Sequence, residues 1–306
     1  MALAEEARQK AVQAKPRLTE TIGEVLRRRP LLQLSVILSP GILWLTLFFL
    51  FPLCIVLAYS FATRGTYGQI VWHFTLENYR RFFDWLYIRT FLLSIWLSVL
   101  ATVICLMIGY PFAFVMARAP RRWRNALMLL VMIPFWTNFL VRTYAIMFLL
   151  RNEGLINTAL QWLGIINRPI PMLFTPFAVV LGLVYGYLPF MILPIYASIE
   201  KFDFTLAEAA QDLGANAWRV FREILWPLTL PGTIAGSILV FIPSVGTFVT
   251  SDLLGGGKVV MIGNLIQQQF LTVRHWPFGS AISLILMAIV LIATLIYFRS
   301  GEERPI

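Results

Sequence analysis

Charge is scarce in this chain. Asp, Glu, Lys and Arg make up 13% of its 306 residues, while 59% are hydrophobic. Soluble domains carry about 25% charged residues, and disordered segments are poor in apolar ones, so both classes are excluded. Cysteine is nearly absent. Cys54 and Cys105 cannot staple a secreted scaffold, and each lies in an apolar run where it reads as a small buried hydrophobe. His73 and His275 are far apart, with no Cys or His at ligand spacing, so no metal site is expected. The phosphate-cradling pattern Gly-x-x-x-x-Gly-Lys-Ser/Thr is missing, as is any clustered His, Asp and Ser constellation. The chain is not expected to be an enzyme.

What is present is a series of long apolar runs. Crossing the hydrocarbon core takes about 20 apolar residues in a helix. Six stretches qualify or nearly so: residues 31–59, 91–116, 126–150, 177–199, 231–251 and 279–298. They hold one charge between them, Arg142, and lack the period-2 alternation of an outer-membrane barrel. The expectation is an all-α membrane protein with six transmembrane helices. No carboxylate lies within these spans, which disfavours an ion-coupled secondary transporter.

The net charge of +10 suggests nucleic acid until its positions are read. Basic residues concentrate at residues 1–30, 118–124 and 201–230 and in the tail from Arg299, which together hold 16 Lys and Arg against 8 in the alternate loops. Positive charge stays on the cytoplasmic side, so both termini are predicted inside, and no nucleic acid is needed. The first span starts near residue 31 without a small-residue cleavage site and reads as a retained helix. Before it lies a solvated extension over residues 1–30; after the last span, residues 300–306 form a short tail. In the first outer loop Thr75 is placed to cap a short interfacial helix.

The longest cytoplasmic loop, 201–230, carries a helix–Gly–helix pattern. Leu206, Ala209, Ala210 and Leu213 fall at i, i+3, i+4 and i+7 and give one apolar face, for the protein's own bundle or for a partner's cleft. Thr205 and Glu208 have capping-box spacing, and Gly214 is placed to end the helix in the left-handed conformation. A second helix starts at Asn216, puts Trp218, Phe221 and Leu225 on one stripe, and is bounded by Pro227 and Pro231.

Glu208-Ala209-Ala210, then Gly214 after three residues, then Ile224 and Pro227 resembles the EAA loop of permease subunits of binding-protein-dependent ABC importers. Trp226 stands where that family usually has Leu. The likeness extends over most of the chain from the first span, and it is to the polyamine (spermidine/putrescine) branch. Residues 134–138 (Pro-Phe-Trp-Thr-Asn), 183–185 with 188–190, 198–201, 251–256 and 276–279 carry it. The resemblance implies a type I (MetI-like) importer permease over residues 31–299 in the bacterial inner membrane. It implies a coupling helix through Glu208, Ala209, Ala210 and Gly214 that docks on an ATPase subunit. The implied partners are a second homologous permease subunit, two ATPase copies that hold the ATP and Mg²⁺, a periplasmic substrate-binding protein, and membrane lipid, with no cofactor in this chain. Related branches carry other amines, opines, iron or sulfate.

For a cationic cargo, Trp136, Tyr144, Tyr185 and Phe248 offer ring faces, or simply lipid contact and packing. Asn138 is polar in mid-span and fits either the path or an interhelical hydrogen bond. Asp252 follows the fifth span and either meets an ammonium group or turns the chain before Gly255. Arg142, counted along a straight helix from Ala126, reaches about 25 Å at 1.5 Å per residue and snorkels toward the interface. Pro243, Ser244 and Gly246 are expected to interrupt the fifth span, as broken helices do along transport paths.

Overall fold

The computed structural model describes residues 30–66 and 68–302; residues 1–29 of the expected extension and 303–306 of the tail lie outside them. It divides into two compact units, Met1–Ala58 and Tyr59–Ile306.

The first unit contains α1 (Pro30–Leu45), a π-helical turn at Thr46–Leu50, and α2 (Phe51–Ser60), which runs two residues past the unit boundary. Leu38–Ser60 is long and apolar enough to cross a membrane. Its π turn has a local cause. The Phe51 N–H reaches back five residues to the Thr46 carbonyl, and this widening precedes Pro52, which has no N–H and would clash with a regular preceding turn. Cys54 is exposed rather than buried. In a span whose surroundings are lipid, an apolar position need not face protein.

The second unit opens with a minimal antiparallel hairpin, which holds the only strands among the described residues: β1 (Thr63–Arg64) pairs with β2 (Ile70–Val71) in the register Thr63 to Val71. Next come α3 (Glu77–Phe82), α4 (Trp85–Arg118), α5 (Arg121–Trp136), α6 (Phe139–Leu150), α7 (Leu155–Trp162) and α8 (Pro176–Glu200). After α8 lie α9 (Thr205–Asp212), α10 (Ala217–Val220), a π turn at Phe221–Leu225, α11 (Trp226–Gly246), α12 (Val249–Gly255), α13 (Ile262–Leu271) and α14 (Trp276–Glu302). Thr75 does cap the α3 entry, but from one residue further back, its hydroxyl accepting the Glu77 N–H at 3.1 Å.

The core is α8 packed between α4 and α11. Gly109 of α4 and Gly236 of α11 leave room for Met191, which is fully buried along with Leu183 and Ile195 of the same helix. Close approach over small residues is how helices associate where lipid competes for apolar surface. Among the described residues five helices are long and apolar enough to span, and six if the bent pair α5 and α6–α7 is one span.

That bent pair corrects the expectation of a straight third span over 126–150. The chain turns by 92° between Trp136 and Phe139. Thr137 is extended, and the Asn138 side chain accepts the Leu140 N–H at 2.8 Å to start a new helix. The fifth span needs two corrections. Pro227 and Pro231 do not end the helix from Asn216 ahead of it, because Ala217–Gly246 is one continuous helical run. A second π turn, closed by the Trp226 N–H on the Phe221 carbonyl, again precedes the proline and absorbs it. Pro243 and Ser244 also sit inside helix, with the Ser244 hydroxyl bonded to the Phe241 carbonyl at 2.8 Å; the interruption comes one residue after Gly246, at Thr247 and Phe248.

Candidate functional site

Two regions gather the residues that the sequence singles out. The first is the helix–Gly–helix loop. The helix ends where Gly214 adopts φ +87°, a left-handed conformation that costs a residue with a Cβ about 1–2 kcal/mol. Asn216 caps the following helix by accepting the Arg219 N–H at 2.8 Å. The capping box does not form, since α9 starts at Thr205 itself. Its first N–H goes to the Asp203 carboxylate at 3.0 Å, and that hydrogen bond holds the Asp203 carboxyl below its ordinary range. Glu208 is therefore free of a capping duty.

At 100° per residue the two faces of α9 separate cleanly. Leu206, Ala209 and Leu213 are exposed, Leu213 at 90%, so the apolar face is not used by the protein's own bundle. The opposite side, Phe204, Ala207, Glu208 and Gln211, lines a cavity against the end of α4. The aromatic stripe behaves differently from α9. Phe221 stacks on Trp218 at 5.5 Å and meets Tyr110 edge-on at 5.7 Å, while Leu225 is buried. The Tyr110 hydroxyl and Thr229 share a 2.8 Å hydrogen bond. The loop is thus rooted on α4 through its second helix and presents the first one outward.

The ends of α4, α5 and α8 are tied beside this loop. Arg124 bonds Glu200 at 2.9 Å and the Ala117 carbonyl at 3.1 Å. Both side chains are about a third or more exposed, so the pair is worth at most about 1 kcal/mol and its use is alignment. Arg124 belongs to the basic 118–124 turn and Glu200 to the 198–201 segment, but their pairing is not legible in the sequence, because the partners lie 76 positions apart.

The second region is formed by the two helix interruptions, both against one turn of α8. Phe139 lies beside Gly186, Phe135 meets Phe190 at 5.1 Å, and Tyr187 is within hydrogen-bonding reach of Thr247. Trp136, Asn138, Tyr144, Tyr185, Phe248 and Asp252 are all exposed here or nearby, and α12 packs against α6. Among the described residues the four candidate rings make no ring contact with one another. Among the described residues Asn138 makes no interhelical bond; it is the cap of α6.

Arg142 does not lie on the straight helix that the 25 Å count assumed. It sits one turn into α6 and is half-buried, with its guanidinium carbon 5.9 Å from the rings of both Phe135 and Phe139. Its Nε and Nη1 are shielded from solvent and donate to nothing among the described residues.

The 247–248 interruption is braced by residues the sequence reading passed over. The Asn264 amide donates to the Phe248 carbonyl at 3.0 Å, and its oxygen accepts from the Met261 N–H at 3.1 Å and from the Ser251 hydroxyl. The Ser94 hydroxyl of α4 accepts the Ile262 N–H at 2.7 Å. A buried Asn in an apolar segment was the available signal. Among the described residues no three His, Cys, Asp or Glu side chains converge as metal ligands would.

Comparison with known proteins places this geometry. Residues 109–300 match the family described as Binding-protein-dependent transport system inner membrane component. The chain is 46% identical over 259 residues to the spermidine/putrescine transport system permease protein PotB of Escherichia coli K12, covering 85% of this chain and 94% of the relative. The protein of the same description from Haemophilus influenzae is 47% identical over 259 residues, 85% of this chain and 91% of that one. A chain in the crystal structure of a bacterial alginate ABC transporter, in complex with an alginate-pentasaccharide-bound periplasmic protein, superposes with a TM-score of 0.72 at 18% identity. That match covers 89% of this chain and 94% of the other and establishes the shared fold.

Proposed function

The chain belongs to the inner membrane components of binding-protein-dependent transport systems, and from that premise we propose that it is the permease subunit of an ATP-driven importer of spermidine or putrescine. The subunit is a non-catalytic membrane component. A periplasmic binding protein delivers the cargo, a second homologous permease completes the path, and two ATPase copies supply hydrolysis with their ATP and Mg²⁺. The N- and C-termini and the loop bearing α9 face the cytoplasm, following the concentration of basic residues at that end.

One observation carries the coupling role: α9 offers Leu206, Ala209 and Leu213 as an exposed apolar face at the end where an ATPase must bind. Burying a leucine side chain is worth roughly 1.5–3 kcal/mol, so this face is a cost until a partner's cleft covers it. Glu208, Ala209, Ala210 and Gly214 form the coupling segment. Gly214 sets its direction, and the Arg124–Glu200 link passes its displacement to α5 and hence to the interruption at residues 137–138. Cargo passes the exposed surface around the two interruptions. There Trp136, Tyr144, Tyr185 and Phe248 give ring faces to ammonium groups and to the methylene chain between them, Asn138 borders the turn, and the Asp252 carboxylate offers a counter-charge.

The test is ATPase activity of the four-component complex in lipid discs, with and without the binding protein and spermidine. Stimulation requiring both is expected. Leu213→Asp is expected to weaken retention of the ATPase subunit about thirtyfold, the equivalent of some 2 kcal/mol of lost apolar burial. A complex that keeps its ATPase with Leu213→Asp overturns the docking face; coupled hydrolysis indifferent to polyamines overturns the cargo.

A further inference from the structure

Beneath α9, on the side away from its exposed apolar face, lies a cavity of about 430 Å³. Its walls are Tyr110, Pro111 and Phe114 of α4 with Phe204 and Phe221 of the loop, and it reaches the surface beside Arg118 and Glu208. The two charges are exposed, and among the described residues neither forms an ion pair. Arg118 is held in place by ring contacts, its guanidinium carbon 5.5 Å from the Phe114 ring and 5.2 Å from that of Phe204. One turn further into the span, on the same face as Pro111, Met107 is 70% exposed, so the apolar wall of the cavity continues into the membrane-facing surface of α4. In the first turn of α5, which follows Arg118 by three residues, Trp123 is exposed beneath the Arg122 guanidinium at 5.5 Å, and Arg121 is exposed as well.

This combination selects its occupant. The apolar walls and their continuity with the span admit an acyl chain directly from the bilayer. Basic residues between helix ends on the membrane surface take phosphate headgroups, and an exposed Trp marks the level at which headgroups lie. A headgroup bearing phosphate alone would set its charge against Glu208. One carrying a phosphate and a primary ammonium satisfies both side chains, Arg118 on the phosphate and Glu208 accepting hydrogen bonds from the ammonium. A trimethylated ammonium has no N–H to give. We propose that the cavity binds a phospholipid with a primary-ammonium headgroup, one chain seated between α4 and the loop, so that membrane lipid supports the coupling helix from behind. The inference rests on the coupling reading only in taking this end as the cytoplasmic leaflet.

The test is native mass spectrometry of the assembled transporter released from discs containing phosphatidylethanolamine, phosphatidylcholine and phosphatidylglycerol in equal amounts. The complex is expected to keep phosphatidylethanolamine at least about tenfold better than the other two, the effect of one hydrogen bond to a charged group. Ala207→Phe, whose ring enters the cavity, and Arg118→Gln, a surface change, are each expected to lose that lipid while the ATPase subunits stay bound in the same spectrum. Equal retention of the three lipids, preference for phosphatidylglycerol, or an adduct unchanged by both variants overturns the proposal. Loss of the ATPase from wild-type complex that still carries the lipid counts instead against the coupling reading, so the two fail separately.

Discussion

The interruption at Thr247–Phe248 and the one at Thr137–Asn138 lie against the same turn of α8, yet they are held in opposite ways. At the first, distant residues close every gap: Asn264 serves the Phe248 carbonyl, the Met261 N–H and Ser251, and Gly263 brings α13 onto the backbone of Gly246 and Thr247. At the second, the hydrogen bonds come from sequence neighbours only. The Thr137 hydroxyl bonds the Pro134 carbonyl at 2.7 Å, Asn138 caps α6, and Arg142 is left with shielded donors to spare. The first is complete within this subunit and acts as a fixed corner. The second has unfilled hydrogen-bonding capacity, which is what a joint completed by another component, or one that changes shape, requires.

The largest effect that tests this contrast is Gly263→Val. A Cβ at residue 263 would come within 2.7 Å of the Thr247 carbonyl oxygen, and the obstructing atoms are backbone. Overpacking in cores costs typically 1–3 kcal/mol, and here no side chain can swing away. The expected result is a drop of about 3 kcal/mol or more, read as lost monodisperse complex on size exclusion. A variant that assembles and melts normally would show that α13 does not fix the corner. Next in size, Asn264→Ala leaves the buried Met261 N–H without its partner and takes the amide hydrogen bond from the Phe248 carbonyl, which keeps the Asp252 N–H and the Ser251 hydroxyl; it is expected to cost about 1–3 kcal/mol in thermal or denaturant unfolding. Asn138→Ala, by contrast, removes only a cap and is expected to cost about 1 kcal/mol. If the two asparagines cost the same, the distinction between the interruptions fails.

How each corner is built also decides how well it could be read. The helix–Gly–helix loop was legible because its devices are local: the left-handed Gly214, the Asn216 cap and the i, i+3, i+4, i+7 apolar stripe all lie within a dozen residues. Five of the spans were legible from apolar length. The 92° turn was not, because Pro134 and Asn138 also occur in straight spans and only the α8 surface decides between the two. The capping box failed by a single residue: the helix starts at Thr205 itself, and Asp203 takes the Thr205 N–H that the Glu208 side chain would have accepted. Pro227 and Pro231 misled because the π turn that absorbs Pro227 has no sequence signature of its own. Asn264, Ser94 and Gly263 act on residues up to 168 positions away. Nothing in their immediate sequence names the partner.

A smaller effect of the opposite sign is expected at the open corner. A half-buried guanidinium without acceptors contributes desolvation cost and little else to the isolated subunit, and replacing such a charge by an apolar side chain is commonly neutral or stabilising. Arg142→Met should therefore leave the melting temperature of the purified subunit unchanged or raise it, while lowering transport by the assembled complex. Destabilisation of the isolated subunit to the extent caused by Asn264→Ala would mean that Arg142 is already satisfied, and the contrast between the corners would disappear.

The subtlest probe is pH, because the closed corner leans on a titrating group. The neutral His275 imidazole accepts the Phe278 N–H on Nδ1 at 3.2 Å, and Phe278 is fully buried in one cluster with Val245, Ile262 and Leu265, the residues that flank the 247–248 turn. Burial first, and then the positive charge of Arg81, holds the His275 pKa below its ordinary 6.5. The unfolded chain therefore takes up this proton more readily than the folded one. The contribution is fully present above pH 6.5 and is lost as the pH falls below that value toward the folded pKa. Taken relative to the intrinsic amide rate at each pH, hydrogen exchange at residues 261–265 is expected to quicken on acidification through this window, while that at residues 139–143 beside the open corner stays level. His275→Asn keeps an acceptor near the Nδ1 position without the titration and should flatten the response. Equal acceleration at both corners, or a response that survives in His275→Asn, would place the sensitivity elsewhere and leave the closed corner without its pH-dependent support.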